Sequence, residues 1–324
     1  MLLQVLLGVS GLLLLTFAAD HLVVGASRLA RRVRIGPVVV GVVVIGLGTS
    51  APEFLVSGVA AAQGHAGLAV GNIVGSNMLN LTLILGVAAL IGPVAVASNV
   101  IRREVPLAVG AVILFAVLAF AGLTAVTAAV LAAAAVGALV LLVHWAGQAR
   151  HKDDPVVGEV RDFTAAHATG DVPARWSGWA EAMRALLGLA GVLAGAQLLV
   201  VNAAAIASRL GVSQLVIGFT VVALGTSLPE LVTTIQAQRR GESGLVIGNL
   251  FGSNLFNSLL GGALIGFVVG RRHPAAGDTE LAIAMILTAG LAWALLRRGL
   301  TLTRVDGLVL LGAYLVTMPL LFSS

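Results

Sequence analysis

The sequence predicts an all-α polytopic membrane protein: ten transmembrane helices in two inverted five-helix repeats, with broken motif helices. Three observations carry that expectation. The 324 residues are 59% hydrophobic and only 10% charged, whereas a soluble domain is about 45–50% apolar and about 25% charged. The apolar runs are long and continuous, without the two-residue alternation of barrel strands. One half of the chain also repeats the other, with five apolar runs separating the copies. A water-soluble globule and a disordered chain are thereby excluded. The chain has no cysteine, which excludes disulfides, thiol catalysis and thiolate-bound metals.

At about 20 apolar residues per crossing, the spans read as residues 2–19, 36–61, 67–91, 105–121, 123–146, 183–206, 213–237, 243–269, 279–296 and 306–322. The first resembles a secretory leader with a cleavage region at Phe17-Ala18-Ala19. It lacks a basic start, however, and it leads into the repeated segment, so it is read as a span. With the N-terminus outside, 16 of the 19 Lys and Arg residues fall in inner loops, and only Arg209, Arg271 and Arg272 fall outside. Such a bias sets orientation in membranes, and it accounts for the basic character without a nucleic-acid partner. Both termini are expected outside the cell membrane. The chain divides into a first inverted repeat (1–146), a cytoplasmic linker (147–182) and a second inverted repeat (183–324). The linker is too short for a core of its own. The alternative for its end is a short amphipathic helix around Trp176–Met183.

The repeat is explicit. Displaced by 177 positions, residues 39–83 align with 216–260 without a gap, and 20 of the 45 positions are identical. Gly48-Thr49-Ser50-Ala51-Pro52-Glu53 falls on Gly225-Thr226-Ser227-Leu228-Pro229-Glu230. Gly71-Asn72-Ile73-Val74-Gly75-Ser76-Asn77-Met78-Leu79-Asn80 falls on Gly248-Asn249-Leu250-Phe251-Gly252-Ser253-Asn254-Leu255-Phe256-Asn257. Five spans between the copies place them in opposite senses across the membrane. The loop after Glu53 has no Lys or Arg, while the loop after Glu230 carries Arg239 and Arg240, as inversion requires. Inverted repeats of this kind build transporters whose sites lie near the midplane.

Glu53 and Glu230 lie deep within spans. A charge at mid-membrane costs at least ~2.5 kcal/mol on the lenient insertion scale, so these carboxylates need a cation, a proton or both. Pro52 and Pro229 cannot donate to the helix ladder, and they disrupt each helix just before its glutamate. Irregular backbone in a membrane is tolerated where it is buried or lines a cavity. Ser50 and Glu53, three apart, share a helix face, as do Ser227 and Glu230. In the following spans Asn72, Ser76 and Asn80 form a stripe, repeated by Asn249, Ser253 and Asn257. Ser76, Asn80, Ser253 and Asn257 read as ligands; Asn72, Asn77, Asn249 and Asn254 read as interhelical hydrogen-bonders. Gly71 and Gly75, like Gly248 and Gly252, have the spacing of close helix packing. The donor set is all oxygen, which suits a hard cation such as calcium and not zinc or copper. His65 reads as a loop residue. Asp20 is expected to pair with a nearby Arg or to cap a helix.

These paired motifs resemble the α-repeats of the sodium/calcium exchanger family, within the calcium/cation antiporter superfamily, and the resemblance covers essentially the whole chain. It implies a secondary antiporter that exchanges calcium for sodium by alternating access, with those two ions as substrates and no cofactor. It implies Glu53 and Glu230 as shared carboxylates for both ions, and backbone carbonyls of Thr49 and Thr226 on calcium. Ser50, Ser227, Ser76 and Ser253 would serve flanking sodium sites, with backbone at Gly46 and Ala223, and Asn80 and Asn257 would face the centre. Some members carry Asp at one of the last two positions, whereas both are neutral here. A proton-coupled exchanger is the runner-up, and a cation channel a more distant reading. An enzyme is not expected, since no His-Glu-x-x-His pair or Ser/His pair lies at suitable depth.

Overall fold

The computed structural model describes residues 1–33, 36–149, 178–211, 223–270 and 279–319. The rest of the linker, the start of the expected span 213–237 and the end of 306–322 lie outside these residues. So do Arg34, Arg150, Lys152, Arg161, Arg175, Arg271 and Arg272.

The first helix, α1, runs Leu2–Val33, well past the apolar run that ends at residue 19. The second span is segmented: α2 (Pro37–Val40), a π-helical stretch Gly41–Gly46, α3 (Leu47–Thr49) and α4 (Ala51–Ala62). The third is α5 (Ala66–Leu79), a π-helical turn Asn80–Ile84 and α6 (Leu85–Ile91). After a two-residue strand β1 (Val94–Ala95) come α7 (Ser98–Arg102), α8 (Glu104–Ala121) and α9 (Ala125–Ala149). The second half holds α10 (Gly178–Arg209), α11 (Ala223–Thr226) and α12 (Leu228–Arg239). It continues with α13 (Ser243–Phe256), a π-helical turn Asn257–Gly261, α14 (Gly262–Val269), α15 (Thr279–Gly299), β2 (Thr301–Leu302) and α16 (Arg304–Thr317). Residues 178–183 are thus the first turns of α10 rather than a separate surface helix.

Among the described residues, seven helices are long and apolar enough to cross a membrane, and up to eight if the bent pair 37–62 counts as one span. Many of their outward residues are large and apolar, among them Phe17, Leu55, Phe120, Val143 and Leu287, as a lipid-facing surface requires. Together these make the protein an integral, multi-pass membrane protein.

Helices α1 and α10 pack chiefly on each other, as a two-helix arm. Glycine permits the approach: a Cβ at Gly25 would lie 2.7 Å from the backbone nitrogen of Ala185. The far half of α1 remains helical beyond its apolar run because its polar side chains find partners. Arg28 pairs with Glu181 of α10 at 3.2 Å, and Arg184 donates to His21 Nδ1 at 3.0 Å. Asp20 pairs with Arg240 in the turn after α12, accepting from Nε at 2.7 Å and also from Nη2. The partner is therefore distant in sequence and not in the basic stretch that follows Asp20. Beside it, Glu242 accepts from Ser27 and pairs with Arg31 at 3.4 Å.

At the same end β1 and β2 pair antiparallel. Gln238 donates to the carbonyls of Gly92 (2.9 Å) and Pro93 (3.2 Å). Thr303 and Asp306 form a capping box that starts α16, satisfying donors the first turn leaves unpaired.

Candidate ion-binding site

Two broken helices bring the glutamates together. In the first copy the helix stops at Ser50 (φ −76°, ψ 2°) and restarts at Ala51 with Pro52 in its first turn; the two parts differ in direction by 43°. In the second copy the break is at Ser227 (φ −92°, ψ 6°), and α12 restarts with Pro229. Each glutamate thus sits in the first turn of a new helix. Helix N-termini favour negative charge.

The halves are bonded crosswise. Ser227 Oγ donates to Glu53 Oε1 at 3.0 Å, and Ser50 Oγ donates to Glu230 Oε1 at 3.2 Å. Ser253 Oγ lies 3.1 Å from the Gly46 carbonyl and 3.4 Å from Glu230 Oε1. Thr49 Oγ1 donates to the Ile45 carbonyl at 2.9 Å and lies 3.3 Å from Asn249 Oδ1. Asn257 Nδ2 donates to Ser76 Oγ at 3.3 Å. Glu53, Glu230, Ser50, Ser227, Thr49, Ser253, Asn80 and Asn257 are all within 1% of complete burial, with Ser76 at 6% and Thr226 at 7%. Gly46 is buried at the end of the π-helical stretch, where a Cβ would lie 2.9 Å from the Asn249 carbonyl and the Ser253 nitrogen. Ala223 begins α11.

The interhelical amides hold this frame. Asn72 donates to Ser57 Oγ (2.9 Å) and to the Glu53 carbonyl (3.3 Å). Asn249 donates to Thr234 (2.9 Å), Thr233 (3.1 Å) and the Glu230 carbonyl (3.2 Å). Gly248 and Gly252 face the backbone of the 38–42 segment; for Gly71 and Gly75 the corresponding segment, 212–222, lies outside the described residues.

The electrostatics are one-sided. Of the ten buried side-chain atoms without a hydrogen-bond partner among the described residues, four belong to residues assigned to this centre: Glu53 Oε2, Glu230 Oε2, Asn80 Oδ1 and Asn257 Oδ1. All four are oxygens. A buried acceptor left unsatisfied costs about 1–3 kcal/mol, and more when charged. Such oxygens on two buried carboxylates and two buried amides are relieved by a cation, by a proton on a carboxylate or by a water that donates, and of these a cation can serve several at once. The sequence did not announce the π-helical turns that start at Asn80 and Asn257, although such bulges recur at functional sites.

Fold and site together define a cation exchanger of the membrane. The sequence profile of the family named Sodium/calcium exchanger protein matches residues 3–148 and 182–322. Similar proteins include the inner membrane protein YrbG of Escherichia coli, 35% identical over 99% of this chain and 98% of that protein. The sodium/calcium exchanger MaX1 of Methanosarcina acetivorans is 29% identical over 77% of this chain and 79% of its own. A solved structure of the sodium-calcium exchanger NCX_Mj, soaked with Na+ and Ca2+, superposes with a TM-score of 0.81 at 30% identity, covering 98% of each chain. The chain belongs to the sodium/calcium exchanger family.

Proposed function

We propose that this protein moves Ca2+ across the cell membrane in exchange for Na+, by alternating access to the buried centre. The observation that carries this is the reciprocal Ser227–Glu53 and Ser50–Glu230 pairing, which leaves one oxygen of each carboxylate buried and unpartnered, as are the amide oxygens of Asn80 and Asn257. Calcium takes six to eight oxygens in flexible geometry, and two carboxylates balance one divalent or two monovalent ions. Glu53 and Glu230 serve both ions. The carbonyls of Thr49 and Thr226 and the amide oxygens of Asn80 and Asn257 complete the calcium shell. Ser50, Ser76, Ser227 and Ser253, with the backbone at Gly46 and Ala223, hold sodium on either flank.

The architecture proposed around this site is ten spans in two inverted five-helix repeats (1–146 and 183–324), joined by a cytoplasmic linker (147–182), with both termini outside. The inversion is supported by the odd number of spans between the copies and by the basic residues gathered at one end. Alternating access is supported by the arm of α1 and α10. At one end α1 packs along α12, whereas no comparable packing joins α10 to α4 among the described residues. The arm is thus fastened along α12, the motif helix of the second repeat, and not comparably, among the described residues, along α4 of the first.

The test is calcium-45 uptake into proteoliposomes loaded with sodium. Uptake is expected under an outward sodium gradient and is lost when choline replaces sodium, without any need for ATP. Uptake that ignores sodium but follows a pH jump would replace this reading with proton-coupled exchange.

A further inference from the structure

Amide side chains are ambiguous in isolation, because oxygen and nitrogen can exchange places. At the crossing of α5 and α13 the ambiguity is removed by a group that can only accept. Asn254 Nδ2 lies 2.9 Å from the backbone carbonyl of Asn77, so this atom must be the nitrogen. The other end of the Asn254 amide is therefore oxygen, and it lies 3.0 Å from the Asn80 amide. Asn80 must answer with its own nitrogen. Its Oδ1 is then turned away from Asn254, buried and unpartnered. The polarity of one backbone carbonyl is thus relayed through Asn254 to the oxygen of Asn80. All the side chains in this chain of bonds are about 1% exposed.

The repeat counterpart differs. Asn77 occupies the position of Asn254 in the first copy, yet its Nδ2 donates to Ser258 Oγ at 2.9 Å and approaches Met285 Sδ at 3.5 Å. Among the described residues no hydrogen bond joins it to Asn257. Asn257 is instead oriented by Ser76, whose hydroxyl donates to the Ile73 carbonyl at 3.2 Å and accepts from Asn257 Nδ2 at 3.3 Å. The two central amides are thus aimed by different devices. One is held by a rigid amide from the opposite repeat, the other by a hydroxyl that can turn.

We propose that Asn254, reading the polarity of the Asn77 carbonyl, is a positioning residue for ion binding that holds the Asn80 amide with its oxygen, and not its NH2, toward the cation. The proposal rests on the reading of Asn80 as a calcium ligand. Without Asn254, Asn80 is free to present a donor, which repels a cation and removes one neutral oxygen from the shell. Asn77 has no such role despite its equivalent place in the repeat.

The experiment is equilibrium calcium-45 binding to the purified full-length protein in detergent, with melting temperature followed alongside. Asn80→Ala, Asn254→Ala, the double variant and Asn77→Ala are compared. Asn254→Ala is expected to weaken calcium binding about tenfold, and Asn80→Ala by a similar factor. The double variant should be no weaker than Asn80→Ala, because a positioning residue has nothing left to position. Asn77→Ala should stay within about twofold of wild type, even if its melting temperature falls. Independent, multiplying effects of Asn80→Ala and Asn254→Ala would overturn the proposal, as would equal losses in Asn77→Ala and Asn254→Ala. An unchanged affinity in Asn80→Ala would instead remove Asn80 from the ion shell, a failure of the underlying reading. If Asn254→Ala does not purify as a folded protein, Asn254→Ser takes its place. Failure of both while Asn77→Ala folds would make Asn254 structural and end the proposal.

Discussion

Ser50 reaches across to Glu230 and Ser227 reaches across to Glu53, so the two copies of the repeat are interchangeable in the pairing of glutamate and serine. The turns that follow the glutamates share only their glycine. Gly64 and Gly241 align, and both have positive φ, 84° and 70°, a conformation that glycine adopts without steric strain. Around Gly64 stand Gln63 and His65; around Gly241 stand Arg240 and Glu242. The second turn is bound to α1 by the Asp20–Arg240 and Arg31–Glu242 pairs and to the 92–93 loop by Gln238. The α1 side is packed against α12, while α10 and α4 have no comparable packing among the described residues. Repeat symmetry is therefore kept in the pairing of glutamate and serine and dropped in the central amides and in the turns at the ends. Each half of that statement can be broken separately.

The largest effect is expected at the symmetric centre. Glu53→Gln and Glu230→Gln keep size and hydrogen bonding but remove half of the charge that balances a divalent ion. At an effective dielectric near 20 the Coulomb term is a few kcal/mol, and a loss of ~3 kcal/mol weakens calcium binding roughly a hundredfold or more. Both variants should insert and purify, because a neutral amide is cheaper to bury than a carboxylate. Calcium uptake at sub-saturating calcium should fall to background in each, to the same extent. Wild-type uptake in either would falsify the assignment of that carboxylate to the site, and a large difference between them would break the symmetry.

An all-or-none effect is expected for the sidedness of the two turns. In the proposed topology the turn after Glu53 is outside and the turn after Glu230 is inside. The glycines themselves are poor probes, since their φ would strain a cysteine. Gln63→Cys and Arg239→Cys are exposed on the same turns, and the native chain has no cysteine background. An impermeant thiol reagent should label Gln63→Cys in intact cells and Arg239→Cys only after permeabilisation. Labelling of both from one side sinks the inversion.

How much of this was legible in the sequence depends on where the partner of each residue lies. The spans are legible because hydrophobicity is local: 67–91 and 243–269 agree with helices at 66–91 and 243–269 to a residue. The breaks before Glu53 and Glu230 are legible because proline acts on its own helix. The extension of α1 to Val33 was not, since Ser27, Arg28 and Arg31 are held by Glu181 and Glu242, which lie on distant elements. The rare polar residues in an apolar background marked the central cluster, and the structure brings Ser227 within hydrogen-bonding reach of Glu53, and Ser50 and Ser253 within reach of Glu230. What the pattern could not reveal is which amide faces which. Asn77 and Asn254 are identical in motif and different in partners: Ser258, which Asn77 bonds, has Leu81 as its repeat counterpart, a side chain with no group to accept from Asn254.

The smallest effect is expected at the asymmetric ends. Asp20 and Arg240 are partly exposed, at 32% and 43% of their side-chain surfaces. Exposed ion pairs contribute about 0.2–1 kcal/mol, which changes an equilibrium by at most about fivefold. That is little for folding but visible in a protein poised between two access states, whose populations differ by only a few kcal/mol. Asp20→Asn releases the turn after α12 from α1 and should raise the half-saturating calcium on the opposite side by less than about fivefold, with maximal uptake unchanged. The counterpart change, Gln197→Ala, should leave that value where it is, since no ion pair occupies the equivalent place among the described residues. Because the pair is exposed, about 0.5 M choline chloride should screen it, so that wild type and Asp20→Asn converge. A shift of equal size in Gln197→Ala, or one that survives the added salt, would mean that the ion pair does not set this value.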